Sequence, residues 1–511
     1  MGDTAGEPVP PTVHGRGAVS QAPLHWASSP LPRDRFAQRC HEWHMGHPMR
    51  LRLSVLFTVV TALALALAGC SGAVRPAIPP LAPVGEPATT AGVASVPPVL
   101  TFIEDDYPRA LAEARATGKP LFVDAWAPWC HTCLSMRSYV FTDELFRPLA
   151  GQFVWLAIDT EKPENAGFVE HYPMQSWPTL WVVDAKAERP SLKWLGSATA
   201  VELASLLKDA AAGPEDGEAA AALARGERAS AQGKREEAIR EYRAALDTAP
   251  PKWGRRARTD EALVSELWAA KDDPACATLA AAEMAKLPPG TSLANVGLLG
   301  LECARRAAAG TPAHELASRL ARAVEQIALD PAIPILDDDR SGLFEEVVED
   351  RSLDHDPVCA KSLATSWASM LEARAQAAKT PSARAVFDAH RMLAYVALGD
   401  PGRALPMLAE SENDFPKDYN PPARIARVNL ELKKYDDALA AIVRALTRGY
   451  GPRKLKLYLL EADILKAKGD RAGMSRVLDE ALTFANGLPA AERPAAVIVE
   501  LEKRRAAPPS P

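Results

Sequence analysis

The chain has 511 residues, a formal net charge of −6 and seven cysteines. That length exceeds what one hydrophobic core serves, so two or three units are expected, and an acidic balance leaves no electrostatic footprint for nucleic acid. Cysteines this few and scattered exclude a small disulfide scaffold, and 6% aromatics among abundant Ala and Leu lean toward helix.

The first chemically legible segment is Met49-Arg50-Leu51-Arg52, a basic stretch followed by an apolar run from Leu53 to Ala68 that stops at Leu67-Ala68-Gly69-Cys70. A run this short, flanked by positive charge and small residues, reads as a secretory signal, with an uncleaved membrane anchor as the alternative. Its last four residues resemble the bacterial lipoprotein box, which implies cleavage before Cys70 and lipidation of that cysteine. Residues 1–70 are therefore an upstream extension plus signal peptide, with translation expected to begin at Met45 or Met49. Cys40, His41, His44 and His47 have metal-donor chemistry, but they lie upstream of a segment expected to be removed. Residues 71–98 are rich in Pro, Ala and Val, cannot bury enough surface to offset ordering entropy, and read as a tether. At about 3.1 Å per residue in polyproline II the tether reaches up to roughly 90 Å. Ser71 after Cys70 resembles the sorting signal for an outer membrane where a cell has two.

From residue 99 to 212 strand and helix patterns alternate. Leu100 to Ile103 is a candidate strand, and Asp106-Tyr107-Pro108 opens a helix that Gly118-Lys119-Pro120 ends. Leu121 to Ala125 is apolar on both faces except at Asp124, as befits a central strand covered on both sides. It leads through Trp126-Ala127-Pro128-Trp129 to Cys130-His131-Thr132-Cys133 at the start of a helix. Unpaired N–H groups there favour a thiolate, and a cysteine in such a setting drops from about 8.5 to roughly 3.5–7.5. A second helical piece follows Thr142-Asp143, then a buried strand Phe153 to Ile158, a helix around Asn165 to Tyr172, and strands Thr179 to Val183 and Leu192 to Leu195. Thr199 and Glu202 form a capping-box spacing at the last helix.

Asp124 six residues before Cys130, Trp129 directly before it, and Trp177-Pro178-Thr179 further on resemble the thioredoxin superfamily. The stretch Met136 to Phe146 is more similar to its exported disulfide-interchange branch. The resemblance implies a central mixed sheet flanked by helices, Cys130 as the exposed attacking thiolate, Cys133 as the resolving thiol, Asp124 as its buried proton acceptor, and a cis bond before Pro178. It also implies a substrate surface of Trp129, His131, Trp177 and Thr179. Two departures stand out: His131-Thr132 replaces Gly-Pro, and Trp155 occupies the strand position where thioredoxin has a lysine. A histidine beside the nucleophile stabilises the thiolate and makes the pair more oxidising. Zinc held by Cys130, His131 and Cys133 is disfavoured because adjacent residues rarely share one ion, so neither a metal nor a cofactor is assigned.

Past residue 213 the strand signal disappears. Gly233 to Leu246, with Ala238, Tyr242 and Ala245, resembles the second helix of a tetratricopeptide repeat, and Ala404 and Ala438 in equivalent phrases stand 34 positions apart, the period of that family. A degenerate copy follows Gly469-Asp470. Residues 255 to 395 read as helical with an irregular period, and Cys276, Cys303 and Cys359 there as buried cysteines with room for one disulfide. The expected architecture is an α/β thioredoxin-like domain over 99–212, an all-α repeat domain over 213–505 and a tail over 506–511. The expected function is a lipid-anchored, periplasm-facing thiol–disulfide oxidoreductase with protein disulfide substrates, a redox partner protein and a further protein partner on the repeats. The alternative is an assembly scaffold with a regulatory dithiol.

Overall fold

The computed structural model describes residues 98–506 apart from Gln175, residues 213–216 and Asp354. The signal segment, Cys70, the upstream His/Cys cluster, the tether up to residue 97 and the last five residues lie outside the described residues. Among the described residues no helix is long and apolar enough to cross a membrane.

Five strands, β1 (Ile103–Glu104), β2 (Leu121–Trp126), β3 (Val154–Asp159), β4 (Thr179–Asp184) and β5 (Arg189–Leu195), form one mixed sheet in the order β1-β3-β2-β4-β5. β2 is central because it is apolar on both faces except at Asp124. It runs parallel to β3, from Leu121 opposite Val154 to Trp126 opposite Asp159, and antiparallel to β4, from Leu121 opposite Val183 to Ala125 opposite Thr179. Alternate side chains enter different cores: Phe122 joins Met136, Phe141, Trp155 and Leu207, while Leu121 and Val123 join Ala110, Ile158 and Trp181. Asp106 caps the helix Tyr107–Thr117 by accepting from the Arg109 N–H, and Gly118 ends it at φ 70°. The capping box forms as read, with Glu202 accepting from the Thr199 N–H at 2.8 Å.

The first strand is shorter than its apolar run suggests. Leu100 is buried in the core, and Phe102 turns into an aromatic cluster with Phe122, Phe141 and Trp155 at centroid distances of 5.2–6.4 Å. Only Ile103 and Glu104 are left to pair. The dithiol helix is also not uniform: an α-helical turn His131–Ser135 passes into a π-helical turn Met136–Val140, a distortion often met at functional sites.

From Glu218 to Ala506 the chain is an array of helices in which consecutive members pack on one another. In the first pair, Glu218–Ala231 with Arg235–Thr248, the Tyr242 ring lies where a Gly226 Cβ would come within 2.6 Å of it, and Ala238 and Ala245 are fully buried. Ala404 and Ala438 are buried likewise, but Ala404 ends a short 3-10 turn, Pro401–Ala404, ahead of the helix Leu405–Asp414. In the irregular stretch the helices lengthen, reaching 21 residues in Pro357–Ala377. A disulfide joins Cys276 to Cys303, and Cys359 is likewise no free thiol. Beside that bridge a Gly300 Cβ would stand 2.3 Å from the Ala280 Cβ. Gly300→Val is therefore expected to overpack the contact and cost about 1–3 kcal/mol, read as a lower denaturant midpoint under oxidising conditions.

Candidate active site at the dithiol

β2 ends at Trp126, a tight turn follows with the Cys130 N–H donating to the Ala127 carbonyl at 3.1 Å, and the chain enters the helix with Cys130 as its cap residue. Cys130 and Cys133 are bonded to each other. The Cys133 backbone N–H points at the Cys130 sulfur, 3.0 Å away. On reduction that N–H would face a Cys130 thiolate, because a donor aimed at a sulfur favours its anionic form.

Asp124 is fully buried on β2, and neither of its oxygens has a hydrogen-bond partner among the described residues. Burial pushes its carboxyl up to about 7, against the pull of Arg137, whose guanidinium stands 3.9 Å away, and with a smaller push from Glu104. Arg137 also donates to Glu104 at 2.7 Å and stacks 4.4 Å above the Trp126 ring. Arg137 therefore supplies the positive charge near the acid. Trp155 instead pairs across from Phe122 and donates to the Ala150 carbonyl. Arg137 was open to discovery in the sequence, since it lies one helical turn after Cys133.

The Trp177–Pro178 bond is cis. Trp177 donates to the Thr160 hydroxyl at 2.7 Å and meets Trp129 edge-on at 5.3 Å, and Thr179, opposite Ala125, donates to the Ser176 carbonyl. Trp126, Trp129 and Trp177 pack around the two sulfurs. The expectation that Cys130 is exposed does not hold: it is 4% exposed and Cys133 is 0%.

The reason is the helical array, which packs over this edge of the sheet. Asn420 donates to the Pro128 carbonyl at 3.1 Å. Glu161, just past β3, accepts from the Trp129 indole at 2.9 Å and from the Arg453 N–H at 2.7 Å, while the Arg453 guanidinium lies 4.6 Å over the Trp129 ring. Tyr450 donates to Asp159 at 2.6 Å. Burial raises both Asp159 and Glu161 above the usual carboxylate range despite these donors.

His131 is engaged as well. Its Nδ1 lies 2.9 Å from both oxygens of Asp338, which is fully buried on the helix Asp337–Leu353, and 3.1 Å from Nε2 of His390, on the helix Asp388–Ala397. Thr132 donates to Asp338 at 2.8 Å. Burial pulls the His131 imidazole down, but the Asp338 carboxylate more than reverses this and raises it, and Asp338 is itself held low by His131 against its burial. No local pattern flags Asp338 or His390. The run Asp337-Asp338-Asp339 at a helix start was the one visible hint.

Comparison with known proteins matches residues 102–185 to the family described as thioredoxin-like. This part of the chain is a thioredoxin-like domain whose Cys-x-x-Cys pair is bonded. Curated relatives include the thiol:disulfide interchange protein DsbD of Pseudoalteromonas atlantica, 33% identical over 89 residues that make up 17% of this chain and 15% of that protein. The thiol:disulfide interchange protein DsbD 1 of Pseudomonas aeruginosa is 31% identical over 156 residues, 29% of this chain and 26% of that protein. The chain thus spans about a quarter or less of the length of these relatives. Among solved structures, a tetratricopeptide repeat protein from Parabacteroides merdae is 11% identical and covers 57% of this chain and 99% of its own, with a TM-score of 0.38.

Proposed function

We propose that this chain is a thiol–disulfide oxidoreductase acting on protein disulfides through Cys130 and Cys133, held outside the cytoplasm by a lipid on Cys70. The observation that carries the reading is the bonded pair at a helix start with a backbone N–H aimed at the Cys130 sulfur. That N–H makes Cys130 the better thiolate and hence the attacking group. The Cys130 thiolate attacks one sulfur of a substrate disulfide, forming a mixed disulfide and releasing the other substrate sulfur as a thiolate. Cys133, its proton passed to Asp124, then attacks the Cys130 sulfur, which closes the intramolecular disulfide and releases the second substrate thiolate. Two electrons pass from this chain to the substrate, and a dithiol partner protein must return them. The likeness to proteins named for thiol:disulfide interchange supports the same chemistry.

Pro178 and the Trp129, His131, Trp177 and Thr179 surface would position the substrate, with no cofactor, and the helical array would bind a protein partner as stacked helices do. The test is a Cys130→Ser variant, expected to drop disulfide exchange to the uncatalysed background, beside Cys133→Ser, expected to accumulate the mixed disulfide. A reduction potential near −270 mV would mark a reductant and one near −120 mV an oxidant, on the scale of known dithiol proteins. Palmitate labelling that depends on Cys70 tests the anchor. One observation favours a second reading, an assembly scaffold with a regulatory dithiol: Cys130 is buried, with Asn420 and Arg453 of the array packed on the adjoining Pro128 and Trp129. An unchanged cellular phenotype in Cys130→Ser would select that reading.

A further inference from the structure

His131 Nδ1 has more partners than one ring nitrogen can serve. Two Asp338 oxygens lie at 2.9 Å, His390 Nε2 at 3.1 Å and the Thr132 hydroxyl at 3.3 Å, yet the atom carries either one proton or one lone pair. His390 Nε2 is in turn 3.6 Å from Asp338 Oδ1. Three donor atoms thus form a triangle with edges of 2.9, 3.1 and 3.6 Å. Ligands about 2.0–2.1 Å from a tetrahedral zinc are separated by roughly 3.3 Å, so the triangle has the size of one face of such a site.

The surroundings fit as well. Asp338 and His390 are each 1% exposed. His390 Nδ1, on the far side of the ring, has no hydrogen bond among the described residues but stands 3.5 Å from Glu345 Oε2, which puts a carboxylate on the side where metal-bound imidazoles commonly have their support. The carboxylates of Asp338 and Glu345 both act on the His131 imidazole, and the Arg424 guanidinium opposes them. The Trp367 ring packs against His390 at 6.0 Å and limits its movement.

We propose that His131, Asp338 and His390 form a binding site for a divalent cation of the zinc class, with a fourth position open to water or to the Thr132 hydroxyl. Two imidazoles and one carboxylate suit zinc and its first-row neighbours better than magnesium or calcium, which favour all-oxygen sites. This site is distinct from a cysteine-ligated one, because the sulfurs are bonded to each other and His131 acts with two residues more than 200 positions away. An ion there would join the first residue of the dithiol helix to two helices of the array.

The test is zinc binding to the full-length chain, without an affinity tag and with Cys130 and Cys133 kept oxidised so that neither thiolate is available. Calorimetry after chelator dialysis is expected to give one equivalent that is lost in His390→Gln and in Asp338→Asn. Affinity should fall at least about 100-fold, since changing a supporting residue alone costs 10–100-fold. Added zinc should also raise the melting temperature of the native chain and leave that of His390→Gln unchanged, which separates a lost ligand from a lost fold. Cys130→Ser/Cys133→Ser should bind as the native chain does. Absence of binding, or binding retained in both ligand variants and so residing elsewhere, for instance on His41, His44 and His47, would overturn the proposal. These readouts are independent of disulfide exchange.

Discussion

Asp124→Asn is expected to make the fold more stable above pH 7 while slowing exchange. The native carboxyl is pushed by burial from 3.8 up to about 7. Between about pH 4 and 7 the folded protein therefore holds a proton that the unfolded chain has lost, and stability falls as pH rises through that window. Each pKa unit carries about 1.36 kcal/mol, so at pH 8 the charged buried acid costs up to roughly 4 kcal/mol, a penalty that asparagine removes. Near pH 3.5 the folded state is protonated and the unfolded state mostly so, and the variant should gain almost nothing. Denaturant unfolding at pH 3.5 and pH 8 with the disulfides intact checks this, and an equal gain at both would show that the acid is not desolvated. Activity should move the other way. Release of substrate from the mixed disulfide should quicken as pH rises through about 7 in the native chain and lose that rise in the variant. A positioned base commonly contributes about 10²–10⁴-fold, so a loss of that size is expected in a stopped-flow release assay.

Gly451→Val is expected to expose Cys130. Gly451 has φ 59°, and a Cβ on it would stand 2.1 Å from the backbone carbonyl oxygen of Glu161, an atom that cannot rotate away. Its neighbours Tyr450 and Arg453 hold Asp159 and Glu161, and Glu161 holds Trp129 over the dithiol. A side chain at this point forces the array off that edge or strains the backbone, since left-handed geometry alone costs roughly 1–2 kcal/mol outside glycine. A loss of about 1.4 kcal/mol is tenfold in the open population, so reduction of the Cys130–Cys133 bond by a small thiol should quicken at least about tenfold. An unchanged reduction rate would mean that access does not require the array to lift.

Legibility in the sequence followed the range of the interaction. Strand β2, the helix that Asp106 caps and Gly118 stops, and the Thr199–Glu202 box all rest on neighbours within a few residues, and all appear where the pattern put them. The dithiol, Asp124 and the Trp177-Pro178 pair were legible because family spacing places them. Arg137 was overlooked although helical spacing offered it. Asp338, His390, Asn420, Tyr450 and Arg453 carry no local period, and they meet the dithiol edge only through contacts spanning 200 residues or more. The expectation of an exposed Cys130 failed for the same reason, since the cover comes from that distant half of the chain.

The second bridge, Cys276–Cys303, places a different demand on the molecule. Both of its cysteines are fully buried between packed helices, and closing a loop of 27 residues constrains the unfolded chain by about 3.5 kcal/mol in the loop-entropy account. On the proposed chemistry the dithiol must open to partners while this bridge stays shut, and its place inside the main core of the helical array, not burial alone, serves that. The rear bridge thus acts as a fixed rivet of the array.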